Sequence, residues 1–170
     1  MSSLVLPERR NSLRMPGWDY SGVGAYFVTI CTLRRVQCLS VVEGSTVKLL
    51  PAGQVIIDEW NRTEVLRPSV KLDRRVVMPD HFQAIIWIDS TNPSPQETTV
   101  PTMLAPHHTL GTVISQFKAA CTKSIRETVD STFAWQRGYY DVALRRWQRL
   151  DSARSYIAAN PRNWRRAHER

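Results

Sequence analysis

The sequence predicts an α+β fold, with an antiparallel sheet that carries helices on one face. Three observations predict this class: β-branched and aromatic runs between turn residues, segments whose apolar residues recur every three or four positions, and one very short connection between two strands. The chain has 170 residues, enough for one domain of ordinary size. A hydrophobic fraction of 42% and a charged fraction of 22% are typical of a globular protein.

The predicted strands are four segments rich in β-branched and aromatic residues: residues 25–32, 70–78, 82–88 and 139–144. Only Pro79, Asp80 and His81 separate the second from the third, so these two should pair as an antiparallel hairpin. A further short hairpin is expected over residues 38–50, with its turn at residues 43–45.

Three helices are predicted between and after these strands. The first covers residues 52–66 and is bracketed by prolines, and the third covers residues 150–160 and is stopped by Pro161. The second is capped by Thr109 and has one apolar stripe, formed by Leu110, Val113, Ile114, Phe117, Cys121 and Ile125. The order strand, helix, strand, strand, helix, strand is that of the split βαβ, ferredoxin-like fold, to which this chain adds a C-terminal helix.

A single domain is expected over residues 25–164. Residues 1–24 form an irregular arm, residues 89–108 a flexible proline-rich loop, and residues 165–170 a basic tail. The longest apolar run, residues 84–88, is far shorter than the ~20 residues needed to span a bilayer, and no stretch near the N-terminus has signal-peptide length. Three scattered cysteines make neither a disulfide framework nor a metal knuckle, so a reducing, cytoplasmic location is expected.

The net charge of +8 is concentrated near the C-terminus. Residues 137–170 contain nine arginines against three acidic residues. Such a surface suggests a polyanionic partner, with nucleic acid ahead of an anionic membrane.

A polar pair opens an otherwise apolar strand. His81 and Gln83 are two residues apart, which places both side chains on one face, while Phe82 and Ala84 face the core. The simplest interpretation is that both side chains form hydrogen bonds to backbone groups at the solvent-exposed end of the strand.

A second pair lies on the last helix, where Tyr156 and Asn160 are four residues apart and share a face. Asn160 could also be a C-cap, and Tyr156 an aromatic at the edge of the core. Together, His81, Gln83 and Asn160 could offer one imidazole nitrogen and two amide oxygens to a hard divalent ion, with open positions for phosphate oxygens.

Five sequence blocks together resemble one family. They are residues 14–21 (RMPGWDYS), 24–32 (GAYFVTICT), 76–86 (VVMPDHFQAII), 135–141 (WQRGYYD) and 156–164 (YIAANPRNW). In this order they resemble the REP-associated tyrosine transposases, relatives of the single-tyrosine HUH transposases, over about residues 9–164. The chain departs from the family at Gln83, where the second metal-binding histidine is expected, and at Asp80, where asparagine is more usual.

The resemblance implies a chemistry and a partner. Tyr156 corresponds to the nucleophile, which forms a 5′-phosphotyrosine link with single-stranded DNA, and His81, Gln83 and Asn160 correspond to the ligands of a metal ion. Because an amide oxygen is a neutral, hard donor, Gln83 should restrict that ion to Mg²⁺ or Mn²⁺. The implied substrate is repeat DNA folded as a hairpin. We therefore expect the protein to associate with the nucleoid, and we expect it to be a monomer.

Arginines and one tryptophan are expected to bind this DNA through its phosphates and bases. The predicted set consists of Arg9, Arg10, Arg14, Arg137, Arg145, Arg146, Trp147, Arg149, Arg154, Arg162 and Arg165.

One distant alternative is an enzyme of the same topology that does not act on nucleic acid. Two further alternatives stay open. One is a relative that binds hairpin DNA sequence-specifically without cleaving it, because Gln83 has impaired the site. The other is an RNA-binding module, although the aromatic motif expected on the central strands of such a module is missing.

Overall fold

The computed structural model describes residues 23–89 and 109–168, with side chains through residue 164. Six strands and three helices lie in these ranges: β1 (Gly24–Cys31), β2 (Ser40–Glu43), β3 (Thr46–Leu49), α1 (Pro51–Leu66), β4 (Val70–Met78), β5 (His81–Ile88), α2 (Leu110–Thr128), β6 (Tyr140–Ala143) and α3 (Trp147–His168). The predicted arm with Arg9, Arg10 and Arg14, most of the loop over residues 89–108 and the side chain of Arg165 lie outside the described residues.

The main sheet has the strand order β4-β5-β1-β6, and every neighbouring pair is antiparallel. This is the predicted ferredoxin-like arrangement, and the predicted hairpin between β4 and β5 turns through two residues. The small predicted hairpin is present as β2 and β3, which pair only with each other.

The main core lies between this sheet and one layer formed by α1 and α2. Alternate residues of β1 and β5 point into it, and the rings of Trp60, Phe82 and Phe117 meet there with centroids 4.9–5.6 Å apart. The apolar stripe predicted for α2 is buried along its whole length, and the Thr109 hydroxyl accepts the Thr112 N–H as the predicted N-cap. Helix α1 approaches the strands closely at Gly53, because a Cβ there would lie 2.1 Å from the carbonyl oxygen of Leu39.

Helix α3 covers the opposite face of the sheet. It packs Leu150, Ala153 and Ile157 against Phe27 and Ile85, which alternate along their strands with the residues of the main core. The prediction of helices on one face therefore holds for α1 and α2, while the added C-terminal helix closes the other face.

The predicted boundaries of the last helix are wrong at both ends. Helix α3 begins at Trp147, and it continues to His168 with Pro161 inside it. Proline in a helix interior removes a backbone hydrogen bond and costs about 3 kcal/mol. Buried side chains on both sides of the proline, Ile157 and Asn160 before it and half-buried Trp164 after it, hold the helix to the sheet and offset that cost. Asn160 is therefore an interior residue and not a C-cap.

A β-bulge in β4 changes the phase of that strand. The pairing with β5 shifts between Leu72 and Arg75, so that Asp73 and Arg74 together oppose a single residue. As a result Leu72 and Val77, although five positions apart, both pack on the main core. Within the described ranges, no helix is long and apolar enough to cross a membrane.

Candidate active site

A chain of three side chains begins at the turn between β4 and β5. The carboxylate of Asp80 lies 2.6 Å from His81 Nδ1 through one oxygen and 2.8 Å from Arg35 Nε through the other. Asp80 and His81 are both buried, and the carbonyl of Asp80 accepts hydrogen bonds from the backbone N–H and the hydroxyl of Thr32. Because Nδ1–H is directed at the carboxylate, Nε2 of the imidazole keeps a lone pair with which it could bind a metal ion.

Gln83 and Asn160 form a buried contact between the sheet and α3, which we call the amide pair. Asn160 Nδ2 donates to Gln83 Oε1 over 2.6 Å, and Gln83 Nε2 donates to the hydroxyl of Thr29 over 3.2 Å. Gln83 is 1% exposed, so these bonds satisfy an amide that would otherwise be costly to bury. The contact joins residues 77 positions apart, so the helix that carries Tyr156 and Asn160 meets the strand that carries His81 and Gln83 at this point.

Aromatic rings lie on either side of the amide pair along α3. The Tyr156 ring stands edge-on to Phe27 with centroids 6.0 Å apart, and the Trp164 ring lies 5.9 Å from the imidazole of His81. One step of four residues on a helix advances about 6 Å, and one step of two residues on a strand advances about 6.7 Å. Tyr156, Asn160 and Trp164, which follow one another at intervals of four residues on α3, therefore lie against sheet positions that are two residues apart.

The donor atoms present could hold a hard divalent ion. The imidazole of His81 is supported by a carboxylate, as is usual for a metal-bound histidine. Asn160 uses its amide nitrogen in the amide pair and keeps its oxygen, and Gln83 Oε1 has a second lone pair beside the one it shares. This donor set is neutral and mostly oxygen, which suits Mg²⁺ or Mn²⁺ better than zinc. Across the described part of the chain, no group of three or more His, Cys, Asp and Glu side chains forms another kind of metal site.

Exposed basic residues gather at the start of α3. Arg145, Arg146, Trp147 and Arg149 are all exposed, and we refer to them as the N-terminal patch. Cations at a helix N-terminus add their positive potential to the positive end of the helix dipole, so this end of α3 attracts anions. Trp147 is 74% exposed and rests 6.4 Å from Trp87, which leaves a face on which an unpaired base can stack.

Arg154, which was predicted to bind DNA, is held by an ion pair. Its Nε and Nη2 donate to the two oxygens of Asp73 over 2.6–3.2 Å, and Asp73 also accepts from Trp87 Nε1. Burial alone would raise the pKa of Asp73, but the hydrogen bonds from Arg154, Trp87 and the Arg74 N–H outweigh it and hold the pKa below its usual range. The pair tethers α3 to the bulge of β4. Arg137 and Arg162, the other predicted arginines with described side chains, are exposed.

Two residues near the site were missed from the sequence. Arg35 reaches Asp80 because Arg34 and Arg35 both adopt left-handed backbone angles, with φ of 55° and 59°. Nothing in the sequence marks two consecutive arginines for that conformation. Trp164 follows Asn160 by four residues, so the helical spacing that links Tyr156 to Asn160 would have found it.

Comparison with known proteins identifies the fold. No family model matches the sequence. An uncharacterized protein of Haemophilus influenzae is 27% identical over 161 residues, which cover 91% of this chain and 89% of that relative.

Two solved structures share the architecture. One is a REP-associated tyrosine transposase bound to a REP hairpin, 18% identical, with a TM-score of 0.56 over 83% of this chain and 68% of that one. The other is a Deinococcus radiodurans protein assigned to the transposases, 14% identical, with a TM-score of 0.51 over 83% of this chain and 92% of that one. The resemblance expected from the sequence is therefore confirmed at the level of the fold.

Proposed function

We propose that this protein processes DNA as a transposase-like enzyme, cutting and rejoining single strands of hairpin-forming repeat DNA through a 5′-phosphotyrosine intermediate and a divalent metal ion. The observation that carries the proposal is the amide pair, because it brings the helix of Tyr156 against the strand of His81 and Gln83. The shared fold supports it, since one structural neighbour is a transposase bound to hairpin DNA.

Tyr156 is the proposed nucleophile. Its phenolic oxygen forms a bond to the phosphorus of the scissile phosphodiester, the bond from phosphorus to the 3′-oxygen breaks, and the phenolic proton is lost as that oxygen becomes a hydroxyl. Attack by a second 3′-hydroxyl reverses the step and joins a new strand. The edge-on contact with Phe27 fixes the ring, so the phenol meets the phosphate in a limited range of orientations.

His81, Gln83 and Asn160 would hold the ion, which when bound polarises the scissile phosphate. Asp80 keeps the His81 imidazole in the tautomer whose Nε2 can ligate, and Arg35 keeps Asp80 in place. The N-terminal patch attracts the phosphate backbone and offers Trp147 to an unpaired base.

A second candidate is sequence-specific binding of hairpin DNA without cleavage. The bonds of Gln83 favour it, because Thr29 and Asn160 engage both ends of its amide, as in a purely structural contact. In that case the amide pair would serve only to attach α3 to the sheet.

Trapping of a covalent adduct separates the two candidates. The protein is incubated with end-labelled hairpin single strands and Mg²⁺ or Mn²⁺, and the products are resolved on a denaturing gel. We expect a protein–DNA adduct that disappears on chelation and in the Tyr156→Phe variant. Tyr140→Phe is the matched control. Tyr140 is an exposed tyrosine that pairs with Thr29 on the face of the sheet that α3 covers, and removal of its hydroxyl should leave the adduct intact.

One outcome would contradict the enzymatic proposal, and another would contradict only the choice of Tyr156. Tight hairpin binding without an adduct at any metal concentration would establish the binding candidate instead. An adduct that persists in Tyr156→Phe but is lost in Tyr140→Phe would show that the wrong tyrosine has been assigned.

A further inference from the structure

A polar cross-strand pair lies beneath α3, where Thr29 of β1 is directly opposite Gln83 of β5. Both side chains are buried, and so is that of Asn160, which approaches them from the helix. The three groups are bonded in series, because Gln83 Nε2 donates to Thr29 Oγ1 and Asn160 Nδ2 donates to Gln83 Oε1. The hydroxyl of Thr29 is therefore bonded to the amide pair at the end remote from the helix.

Such a series can run in either of two directions. The terminal torsion of an amide side chain is roughly two-fold, so hydrogen bonds decide which end carries the oxygen. In the observed direction the Thr29 hydroxyl accepts, and Oδ1 of Asn160 takes no part in the amide pair. In the reverse direction the hydroxyl would donate to Gln83 Oε1, and Gln83 Nε2 would donate to Asn160 Oδ1. The amide hydrogens of Asn160, and not its oxygen, would then lie outside the pair.

Only the observed direction suits a cation. Divalent ions bind carbonyl oxygens, whereas amide hydrogens carry a partial positive charge and repel them. The observed direction keeps the oxygen of Asn160 and the second lone pair of Gln83 Oε1. It requires an acceptor for Gln83 Nε2, which is buried with the rest of its side chain, and within the described ranges Thr29 Oγ1 supplies that acceptor.

We propose that Thr29 is a positioning residue, whose hydroxyl holds the amides of Gln83 and Asn160 in the direction that leaves their oxygens for the divalent ion. This inference rests on the proposed function, because it takes both amides as ligands. Thr29→Val keeps the branched shape of the side chain but removes the acceptor. Since an unpaired buried N–H is rarer in proteins than an unpaired carbonyl oxygen, the reverse direction should then prevail. An ion could bind this variant only after both amides had turned back.

The test measures ion binding directly and needs no DNA. Full-length protein is titrated with Mn²⁺, and free Mn²⁺ is followed by its electron paramagnetic resonance signal. We expect Thr29→Val to weaken Mn²⁺ binding about tenfold, the lower end of the effect that is usual for the partners of metal ligands. Thr29→Ser keeps the hydroxyl and should bind Mn²⁺ as the natural protein does.

The Gln83→Glu background separates an orienting role from a packing role. A carboxylate has the length of the amide but two equivalent oxygens, so turning it end for end changes nothing. Thr29→Val should therefore leave the Mn²⁺ affinity nearly unchanged in this background, and the double-mutant cycle should show a coupling of about tenfold. Urea denaturation of each metal-free variant establishes that folded proteins are compared.

Thr63→Val is the matched control. It also removes a buried threonine hydroxyl, one that donates to the carbonyl of Glu59 within α1, on the other side of the sheet. The proposal is overturned if Thr63→Val weakens Mn²⁺ binding as much as Thr29→Val does, or if Thr29→Val has the same effect with glutamine and with glutamate at position 83. Unchanged affinity in Thr29→Val, or no Mn²⁺ binding by the natural protein, would also overturn it.

The two proposals fail in different ways. Ion binding is measured without any covalent step, so a missing Tyr156 adduct leaves the role of Thr29 standing if Thr29→Val still weakens Mn²⁺ binding. Conversely, a metal-dependent adduct that the natural protein and Thr29→Val form equally well at every Mn²⁺ concentration would refute the role of Thr29 and leave the chemistry intact.

Discussion

At the scale of single residues, Gln83 is bonded on both sides, to Thr29 through its nitrogen and to Asn160 through its oxygen. Histidine has nearly the same reach, and a ring nitrogen in the place of Oε1 would offer its one lone pair to the ion instead of to Asn160. We therefore expect Gln83→His to form at least as much covalent adduct as the natural protein and to accept Co²⁺ or Ni²⁺ in addition, because imidazole binds these ions better than an amide oxygen does. The adduct assay, repeated with each ion, measures this. A loss of adduct with all ions would mean that Gln83 is not a ligand.

The two left-handed arginines before Cys38 have opposite expected responses to glycine. Arg34 is exposed, and a non-glycine residue at φ 55° carries backbone strain of about 1 kcal/mol, so Arg34→Gly should be neutral or raise the free energy of unfolding slightly. Arg35→Gly relieves the same strain but removes the partner of a buried carboxylate, and it should lower that free energy by more than 1 kcal/mol. Urea denaturation of both variants tests this pair. Equal responses would show that the contact between Arg35 and Asp80 contributes nothing.

At the scale of elements, the tether between α3 and the bulge of β4 makes stability depend on pH. The pKa of Asp73 is lowered in the folded state, so its contribution is present above the unfolded value of about 3.9 and is lost as the pH falls through the lower folded value. Asp73→Asn should therefore lower the unfolding midpoint by about 2 °C at pH 7, with a difference that shrinks below about pH 4. Asp151→Asn is the control, since the Asp151 carboxylate lies 3.5 Å from the same arginine but its side chain is 73% exposed. A constant difference across pH would contradict the tether.

The predicted elements show where sequence patterns are informative and where they are not. The apolar stripe of α2 and the inward positions of Phe82 and Ala84 in β5 predicted part of the main core, because those periodicities arise from burial itself. Pro161 misled the prediction, since local backbone preference ends a helix there while packing of Asn160 and Trp164 on the sheet maintains it. The bulge at Asp73 and the left-handed Arg35 depend on tertiary contacts, so no local pattern announces them. The residues proposed for chemistry were chosen from the sequence, but the contacts with Arg35, Thr29 and Phe27 that hold them were not foreseen.

At the scale of the whole molecule, exposed basic residues lie on both faces of the sheet. The N-terminal patch lies at one end of α3, while Arg62 and Lys123 lie on the helices of the opposite face. We expect the double variant Arg146→Ala/Arg149→Ala to reduce the slope of log K against log salt for hairpin DNA by about 1.8, since two phosphate contacts to the duplex stem are lost. Arg62→Ala/Lys123→Ala removes the same charge and should leave the slope unchanged. Equal slopes for the two variants would mean that binding responds only to net charge.

The similar steps of helix and strand have a consequence for how α3 finds its place. Because four helical residues and two strand residues advance by nearly the same length, a shift of α3 by one turn would again align side chains with sheet positions. Spacing alone therefore cannot distinguish neighbouring alignments. The polar pairs can, since a shift would separate the buried amides of Gln83 and Asn160 and would take Arg154 away from the half-buried carboxylate of Asp73. In this protein the residues proposed for chemistry thus also specify the alignment of α3 on the sheet. A buried asparagine fixes the register of a coiled coil in the same way.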